Sequence, residues 1–244
     1  MSDTAAPATG TLEEGQVRAM FDRIAGVYDR MNHVMSAGLH HQWRARAADL
    51  AEVGPGDRVL DVATGTGDLA FALAERVAPG GAVVGSDFSE AMLARARQKG
   101  SAGAPPGVEI AFEAGNALEL PYPDDGFDAA TVAFGARNFS DLDRGLAEMA
   151  RVTRPGGRVV VLEITTPQRP PLSWFHRVWF DRLIPGLGRL AGDPDAYAYL
   201  PNSVRRFPAP EALAAALERA GMEDIRWVLT AGGIIALHSG RVSG

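Results

Sequence analysis

The chain has 244 residues, of which 46% are hydrophobic and 22% are charged, a composition typical of one globular domain rather than of a disordered chain. Lys and Arg total 24 against 30 Asp and Glu, and the resulting net charge of −6 argues against a nucleic-acid partner, which needs a basic surface. Because the chain contains no cysteine, disulfides, thiolate metal sites and cysteine nucleophiles are excluded.

The N-terminal region divides into two parts. Residues 1–15 are small, polar and rich in turn formers, and they predict a flexible tail without the basic and apolar stretches of a secretory signal. With no apolar run near the ~20 residues of a membrane span, we expect a cytoplasmic protein. Residues 16–52 predict a helical cap, because apolar residues recur there at three- and four-residue steps: Met20, Phe21, Ile24, Val27, Met31, Met35 and, after Gly38, Trp43.

Short apolar strands alternate with amphipathic helices in the remainder of the chain. This alternation predicts an α/β fold with a doubly wound, mostly parallel sheet covered on both faces, in a single domain over 16–244. The last two strands are separated by a Gly-rich turn and predict an antiparallel hairpin at the sheet edge. The expected strands are Arg58–Val62, Ala82–Asp87, Val108–Phe112, Asp128–Phe134, Arg158–Ile164, Ile225–Leu229 and Ile234–His238.

A glycine-rich turn follows the first strand, and an acidic residue ends the second. Gly65-Thr66-Gly67 lets the backbone turn sharply toward the free N–H groups of the next helix, where a ligand can bind. Asp87 is placed to accept hydrogen bonds from ribose hydroxyls. The spacing Gly65-x-Gly67-x-x-Ala70 also fits a dinucleotide fingerprint, so a nicotinamide-dependent oxidoreductase stays open, as does tight packing without a ligand.

Further features favour S-adenosylmethionine over a dinucleotide. Asp61, before the glycines, suits a cationic amino group and would repel a pyrophosphate. Gly115-Asn116-Ala117 follows the third strand, and Arg154-Pro-Gly-Gly-Arg158 introduces the fifth. Over residues 57–163 this ordered set resembles class I SAM-dependent methyltransferases. The resemblance implies a seven-stranded sheet, S-adenosylmethionine as cofactor, and these binding residues: Asp61, Gly65, Thr66, Gly67, Asp87 at the ribose, Asn116 and Ala117 at the adenine, and Ala133.

Three other stretches carry a narrower resemblance. Tyr-Asp-Arg-Met-Asn at 28–32 continues with Ser36, His40 and Trp43, Ala-Phe-Gly-Ala-Arg-Asn occupies 133–138, and Arg-Val-Thr-Arg-Pro-Gly-Gly-Arg begins at 151. Together they resemble the ubiquinone/menaquinone C-methyltransferase (UbiE-type) family over residues 17–240, departing from it at Thr153 and Thr165.

This resemblance implies C-methylation of a polyprenylated quinol. We expect demethylmenaquinol, with a methoxy-polyprenyl-benzoquinol as the alternative acceptor and an inactive SAM-fold binding module as a second alternative. Lys99 is the only lysine, and such arginine usage suggests a GC-rich genome, which favours menaquinone.

The predicted catalytic residues are Arg137, Asn138 and Tyr28. Arg137 and Asn138 follow the fourth strand, at the carboxyl edge where ligands of such sheets bind. A ring carbon becomes nucleophilic once its neighbouring hydroxyl loses a proton, and Arg137 is expected to stabilise that oxyanion, with a structural ion pair as the alternative. Tyr28 is expected to bond the cofactor or the acceptor, or only to pack. No set of potential ligands has metal-binding spacing, so no metal is predicted.

The segment 165–205 is expected to form a lid that binds the acceptor. Residues 171–190 are its most aromatic part and predict an amphipathic helix in peripheral contact with the inner face of the membrane. A homodimer is compatible with the sequence.

Overall fold

The computed structural model describes residues 13–167, 170, 172–174 and 194–244. The helices, numbered here along the described chain, are α1 (Glu14–Ile24), α2 (Tyr28–Ser36), α3 (His40–Leu50), α4 (Asp68–Val77), α5 (Glu90–Gly103), α6 (Leu142–Val152), α7 (Pro194–Arg206) and α8 (Pro210–Arg219). The strands are β1 (Arg58–Val62), β2 (Ala82–Asp87), β3 (Glu109–Ala114), β4 (Phe127–Ala133), β5 (Thr153–Ile164), β6 (Met222–Thr230) and β7 (Ile235–Val242).

The strands form one seven-stranded sheet in the order β3-β2-β1-β4-β5-β7-β6. The first five strands pair in parallel, and β7 inserts antiparallel between β5 and β6. This topology confirms the predicted mostly parallel sheet with a terminal antiparallel pair. The chain order reverses between β1 and β4, and this reversal opens a crevice at the carboxyl edge of the sheet, where ligands bind in such folds.

Helices cover both faces of the sheet. Leu146 and Met149 of α6 and Leu213 and Leu217 of α8 are fully buried against one face. The opposite face packs against α3, α4 and α5 through Ala47, Ala48, Leu69, Leu73 and Leu93. These apolar layers are continuous along the strands, as expected for strands buried on both faces.

The N-terminal helices lie over the carboxyl edge of the sheet. Val17 and Met20 of α1 are buried against Tyr199 and Val204 of α7, which forms a third, smaller apolar cluster. Helix α1 begins at Glu14, because Glu13 and Gln16 form a reciprocal capping box. The predicted flexible tail over residues 1–15 therefore overlaps the start of α1 at residues 14 and 15. Residues 1–12 lie outside the described residues.

The predicted strand positions agree with the structure to within a few residues at most ends. The largest difference is at β5, which begins at Thr153, five residues earlier than expected. The Arg154-Pro-Gly-Gly turn belongs to this strand, and the pairing with β4 is bulged there. Among the described residues, no helix is long and apolar enough to cross a membrane.

Candidate active site

The main pocket of the described chain lies at the carboxyl edge of β1, β2 and β4. It is lined by most of the residues predicted for cofactor binding, namely Asp61, Thr66, Asp87, Asn116, Ala117 and Ala133, and by two of the predicted catalytic residues, Tyr28 and Asn138. Gly67 begins α4 with φ +84°, and a Cβ there would lie 2.8 Å from the Phe112 ring, so the turn requires glycine. The local sequence thus places the free N–H groups of α4 beside two carboxylates.

Asp61 is buried at the end of β1, with 1% of its surface exposed. The Thr64 hydroxyl donates to one carboxylate oxygen at 2.6 Å, and the Thr131 hydroxyl donates to the other at 3.0 Å. Burial raises the pKa of Asp61 to about 7, against the lowering effect of these two hydrogen bonds. The site therefore holds a carboxylate whose negative charge is poorly compensated, and a cationic ligand group would supply the missing partner.

Asp87 ends β2 on the other side of the glycine turn. One of its oxygens accepts the Gly65 backbone N–H at 2.8 Å, and the other accepts the Ser89 N–H at 2.9 Å. Burial raises the pKa of Asp87 to about 6, although those backbone hydrogen bonds oppose the change. Each oxygen keeps lone-pair capacity for a hydroxyl donor. The carboxylate thus holds the turn in shape and still lines the pocket.

Asn116 and Ala117 follow β3 and form the far wall of the pocket. The Asn116 side chain accepts the Leu118 backbone N–H at 2.9 Å and donates to the Glu14 carboxylate of α1 at 2.8 Å. Helix α1 is therefore anchored to the wall predicted to bind adenine, and Glu14 lines the same pocket.

Helix α2 covers the glycine turn, and a single lysine attaches it there. The Lys99 ammonium of α5 donates to Asp29 of α2 at 3.0 Å, to the Thr66 hydroxyl at 3.1 Å and to Asp68 at 2.6 Å. Thr66 also donates to Asp29. A compact ammonium has three rotatable donors and suits three oxygens placed in this way, where a planar guanidinium would not.

A second cation lies beneath the same turn. Arg44 of α3 is buried, with Nη1 3.8 Å from the Asp68 carboxylate and its guanidinium over the Phe134 ring. Burial opposes ionisation of Asp68, but Arg44 and Lys99 outweigh it and hold the pKa of that carboxyl below its ordinary value. Asp68 thus stays ionised at the first turn of α4.

Arg137 lies just beyond β4, in a short 3-10 turn over Ala136–Asn138. Its Nη1 donates to the buried Glu163 carboxylate at 2.7 Å and also to the Phe134 carbonyl. The ion pair that the sequence offered as the alternative reading is therefore present. Among the described residues Arg137 lines an adjoining recess rather than the main pocket, and its Nε is buried without a hydrogen-bond partner.

Asn138 lies where the main pocket and this recess meet, and it lines both. Tyr199 of α7 donates its hydroxyl to the Asn138 side-chain oxygen at 3.1 Å. Burial raises the pKa of Tyr199, so its hydroxyl stays protonated and able to donate. The Asn138 amide is thereby oriented with its N–H₂ group available to another acceptor.

Sequence reasoning assigned no role to several of these contributors. Glu163 and Tyr199 reach the site from distant strands and helices, and no local pattern marks them. Asp29 and Asp68 stand inside or beside recognised motifs but carried no assigned role. Lys99 carries one signal in the sequence, since it is the only lysine of the chain.

Comparison with known proteins identifies the family. Residues 9–242 match the ubiE/COQ5 methyltransferase family. A demethylmenaquinone methyltransferase of Thermus thermophilus is 50% identical over 222 residues, 91% of this chain and 99% of that protein. A demethylmenaquinone methyltransferase of Deinococcus radiodurans is 47% identical over 228 residues, 93% of each chain.

The fold agrees with that family. A SAM-dependent methyltransferase of Thermotoga maritima superimposes with a TM-score of 0.60 at 18% identity, covering 91% of this chain and 98% of the other. The dinucleotide oxidoreductase alternative is therefore wrong. It is excluded by the sheet order, by the paired carboxylates beside the glycine turn and by the whole-length family match. The chain is a methyltransferase and belongs to the ubiE/COQ5 methyltransferase family.

Proposed function

We propose that this enzyme transfers a methyl group from S-adenosylmethionine to a ring carbon of demethylmenaquinol. The observation that carries the proposal is the pair of buried carboxylates, Asp61 and Asp87, on either side of the Gly65–Gly67 turn in one pocket. The names of the Thermus and Deinococcus relatives support the acceptor. A methoxy-polyprenyl-benzoquinol is the competing acceptor of the same class.

The pocket fits the parts of S-adenosylmethionine in chemical terms. Asp61 matches the methionine ammonium, because its buried carboxylate accepts hydrogen bonds from two hydroxyls and forms no ion pair with a described residue. Asp87 matches the ribose hydroxyls, and the Asn116–Ala117 wall matches the adenine. Bound there, the cofactor supplies an electrophilic sulfonium methyl group, so the protein need not activate the donor.

The protein has to activate the acceptor. A phenol-like hydroxyl has a pKa of about 10, so its anion must be stabilised for the ring carbon to attack near neutral pH. We place the acceptor ring at the opening between pocket and recess, beside Asn138, Phe139 and Ser140, which line both cavities. Tyr28 then closes the cofactor side of that opening, where its ring lies near Gly65.

Two donors face the proposed position of the quinol oxygen. Tyr199 holds the Asn138 amide so that its N–H₂ group can donate into the opening. Arg137 uses Nη1 for Glu163 and Phe134, and in the described part of the chain its Nη2 has no partner. We assign to these two groups the stabilisation of the developing oxyanion, a contribution of about 3–4 kcal/mol per donor in enzymes that use such donors.

The polyprenyl tail requires an apolar route or contact with the lipid phase. Most of the 171–190 segment, for which membrane contact is predicted, lies outside the described residues. Of the part that is described, Trp174 is 65% exposed and Leu172 is 38% exposed, which suits an interfacial contact. Membrane contact and a homodimer both stay predictions.

The decisive experiment is mass spectrometry of products after incubation with S-adenosylmethionine and each reduced quinol in parallel. We expect demethylmenaquinol to gain one CH₂ unit and the benzoquinol to remain unchanged. Methylation of the benzoquinol alone would contradict the proposed acceptor, and methylation of both would extend it. If neither quinol is methylated although both are verified as reduced, the proposed acceptor class is refuted.

A further inference from the structure

Three of the five histidines of the chain meet at the turn between α2 and α3. One ring nitrogen from each of His33, His40 and His41 lies within 4.8 Å of the other two. The turn makes this meeting possible: Ala37 and Gly38 both have positive φ, and a Cβ on Gly38 would lie 3.2 Å from the His33 ring. His33 belongs to α2, while His40 and His41 belong to α3, so the turn between the two helices brings the three rings together.

One imidazole of this triad is held in a defined orientation. The Ser36 hydroxyl donates its proton to the Asn32 carbonyl at 2.6 Å, so it can only accept from Nδ1 of His40, 2.6 Å away. Nδ1 therefore carries the hydrogen, and Nε2 carries the free lone pair. Metal-binding histidines usually donate their other ring N–H to an acceptor in this way, which fixes the orientation of the ring.

The other ring nitrogens of the triad are unengaged. Within the described chain, neither His33 nor His41 makes a side-chain hydrogen bond or ion pair, and their rings contact each other and the His40 ring. Both are exposed while His40 is buried. The exposed rings can therefore rotate by the small amount that brings three nitrogens to about 2.0–2.1 Å from one ion.

We propose that His33, His40 and His41 form a binding site for a divalent transition-metal ion of the zinc class. Three neutral imidazoles suit such borderline ions and not Mg²⁺ or Ca²⁺, which prefer oxygen ligands. A solvent molecule would complete the tetrahedron on the exposed side. Arg44, four residues after His40 on α3, is itself paired with Asp68, which limits its repulsion of the ion.

The site would cross-link α2 to α3 beside the glycine turn. Helix α2 carries Tyr28, which lines the main pocket, and Asp29, which bonds Thr66 and Lys99, so a bound ion would fix this helix to α3. The proposal concerns metal binding alone and does not depend on the assigned acceptor.

The test uses the full chain without a histidine tag, titrated with Zn²⁺ in competition with a chromophoric chelator. We expect one equivalent to bind with a dissociation constant of about 1 µM or tighter, and no competition from Mg²⁺. Both His33→Ala and His41→Ala should weaken binding at least about tenfold, since each removes one of three ligands. The control Gln42→Ala changes an exposed side chain of α3 that is not part of the triad, and this variant should bind zinc like the original protein.

A second measurement separates the site from nonspecific binding. Zinc should raise the melting temperature of the original protein and of Gln42→Ala but not that of His33→Ala, whose side chain is exposed and does not hold the fold together. Ser36→Ala should weaken zinc binding without removing a ligand, because it frees the His40 ring. Absence of a saturable equivalent, or equal binding by both triad variants and the control, would overturn the proposal.

Discussion

Asp61 and Asp87 are buried carboxylates whose pKa values are raised to about 7 and about 6. In both cases removal from water disfavours the charged form more than the available hydrogen bonds favour it. Such a residue lowers the stability of the ligand-free protein at neutral pH and gains a partner when a cation or a hydroxyl donor binds. The same desolvation therefore prepares the residue for ligand binding.

Asp61→Asn should separate these two effects. The amide keeps the shape but removes the charge, so affinity for S-adenosylmethionine should fall by about 10–100-fold, which corresponds to roughly 1.5–3 kcal/mol for a charged hydrogen bond. Calorimetric titration measures the change. Asp143→Asn, an exposed aspartate on α6, is the matched control and should bind normally. Unchanged affinity in Asp61→Asn would contradict the proposed position of the ammonium group.

Arg137 needs a test that separates its ion pair from catalysis. Arg137→Met alone leaves Glu163 buried without its cation and should cost about 3–5 kcal/mol of unfolding free energy, measured by urea denaturation. Adding Glu163→Gln removes the orphaned charge and should restore much of that stability.

The double variant then reports on chemistry. We expect it to bind S-adenosylmethionine almost normally but to turn over about 100-fold more slowly or worse, because an oxyanion donor is missing. Turnover close to that of the original enzyme would show that Arg137 serves only the ion pair with Glu163.

At the scale of elements, the pocket depends on helices that reach it from outside the sheet. Helix α1 contributes Glu14, which bonds Asn116, and Asp22, which accepts from the Ser89 hydroxyl at 2.6 Å. Helix α2 is attached through Asp29 to Thr66 and Lys99. These polar contacts are few and partly exposed, so the cover can open more readily than the sheet beneath it.

Lys99→Met should loosen this cover. It removes three hydrogen bonds at once while keeping an unbranched side chain, and we expect faster amide hydrogen exchange in α2 with about tenfold weaker cofactor binding. Lys99→Arg should rescue only in part, since a planar fork cannot reach all three oxygens. Arg46→Met, exposed on α3, is the control. Normal exchange in α2 of Lys99→Met would show that the lysine does not hold the cover.

At the scale of the whole molecule, the raised carboxylate pKa values predict a pH dependence of stability. The unfolded pKa of Asp is about 3.9, so between about pH 4 and 7 the folded protein binds more protons at Asp61 and Asp87 than the unfolded chain does. Their contribution to stability is therefore fully present below about pH 4 and is lost as the pH rises through 6 and 7.

Asp61→Asn isolates this contribution, because carboxylates with lowered pKa values, such as Asp68, act in the opposite direction. The unfolding free energy of the original protein minus that of Asp61→Asn should fall as the pH rises from about 5 to 7, by at most about 1.4 kcal/mol per pH unit. Denaturation at a series of pH values without ligand provides the measurement. A difference that rises over this range would contradict the raised pKa.

The fold and the glycine turn could be predicted because their causes are local. Apolar runs, their spacing and the Gly65–Gly67 turn reflect the period of strands and helices and the need for positive φ, and all of these act within a few residues. The whole-length family motifs then indicated methyl transfer. The choice between demethylmenaquinol and the benzoquinol as acceptor rests on the names of the relatives, because no local sequence pattern indicates the shape of the acceptor pocket.

By itself, the sequence determined the strand and helix order, the residues of the glycine turn and the presence of Asp61 and Asp87 at strand ends. Only the tertiary structure decided which side chains meet: Arg137 with Glu163 across 26 residues, Lys99 with Asp29 across 70, and the three histidines around one turn. The reason is physical. Charged groups find partners by distance and desolvation in space, and neither quantity has a period along the chain.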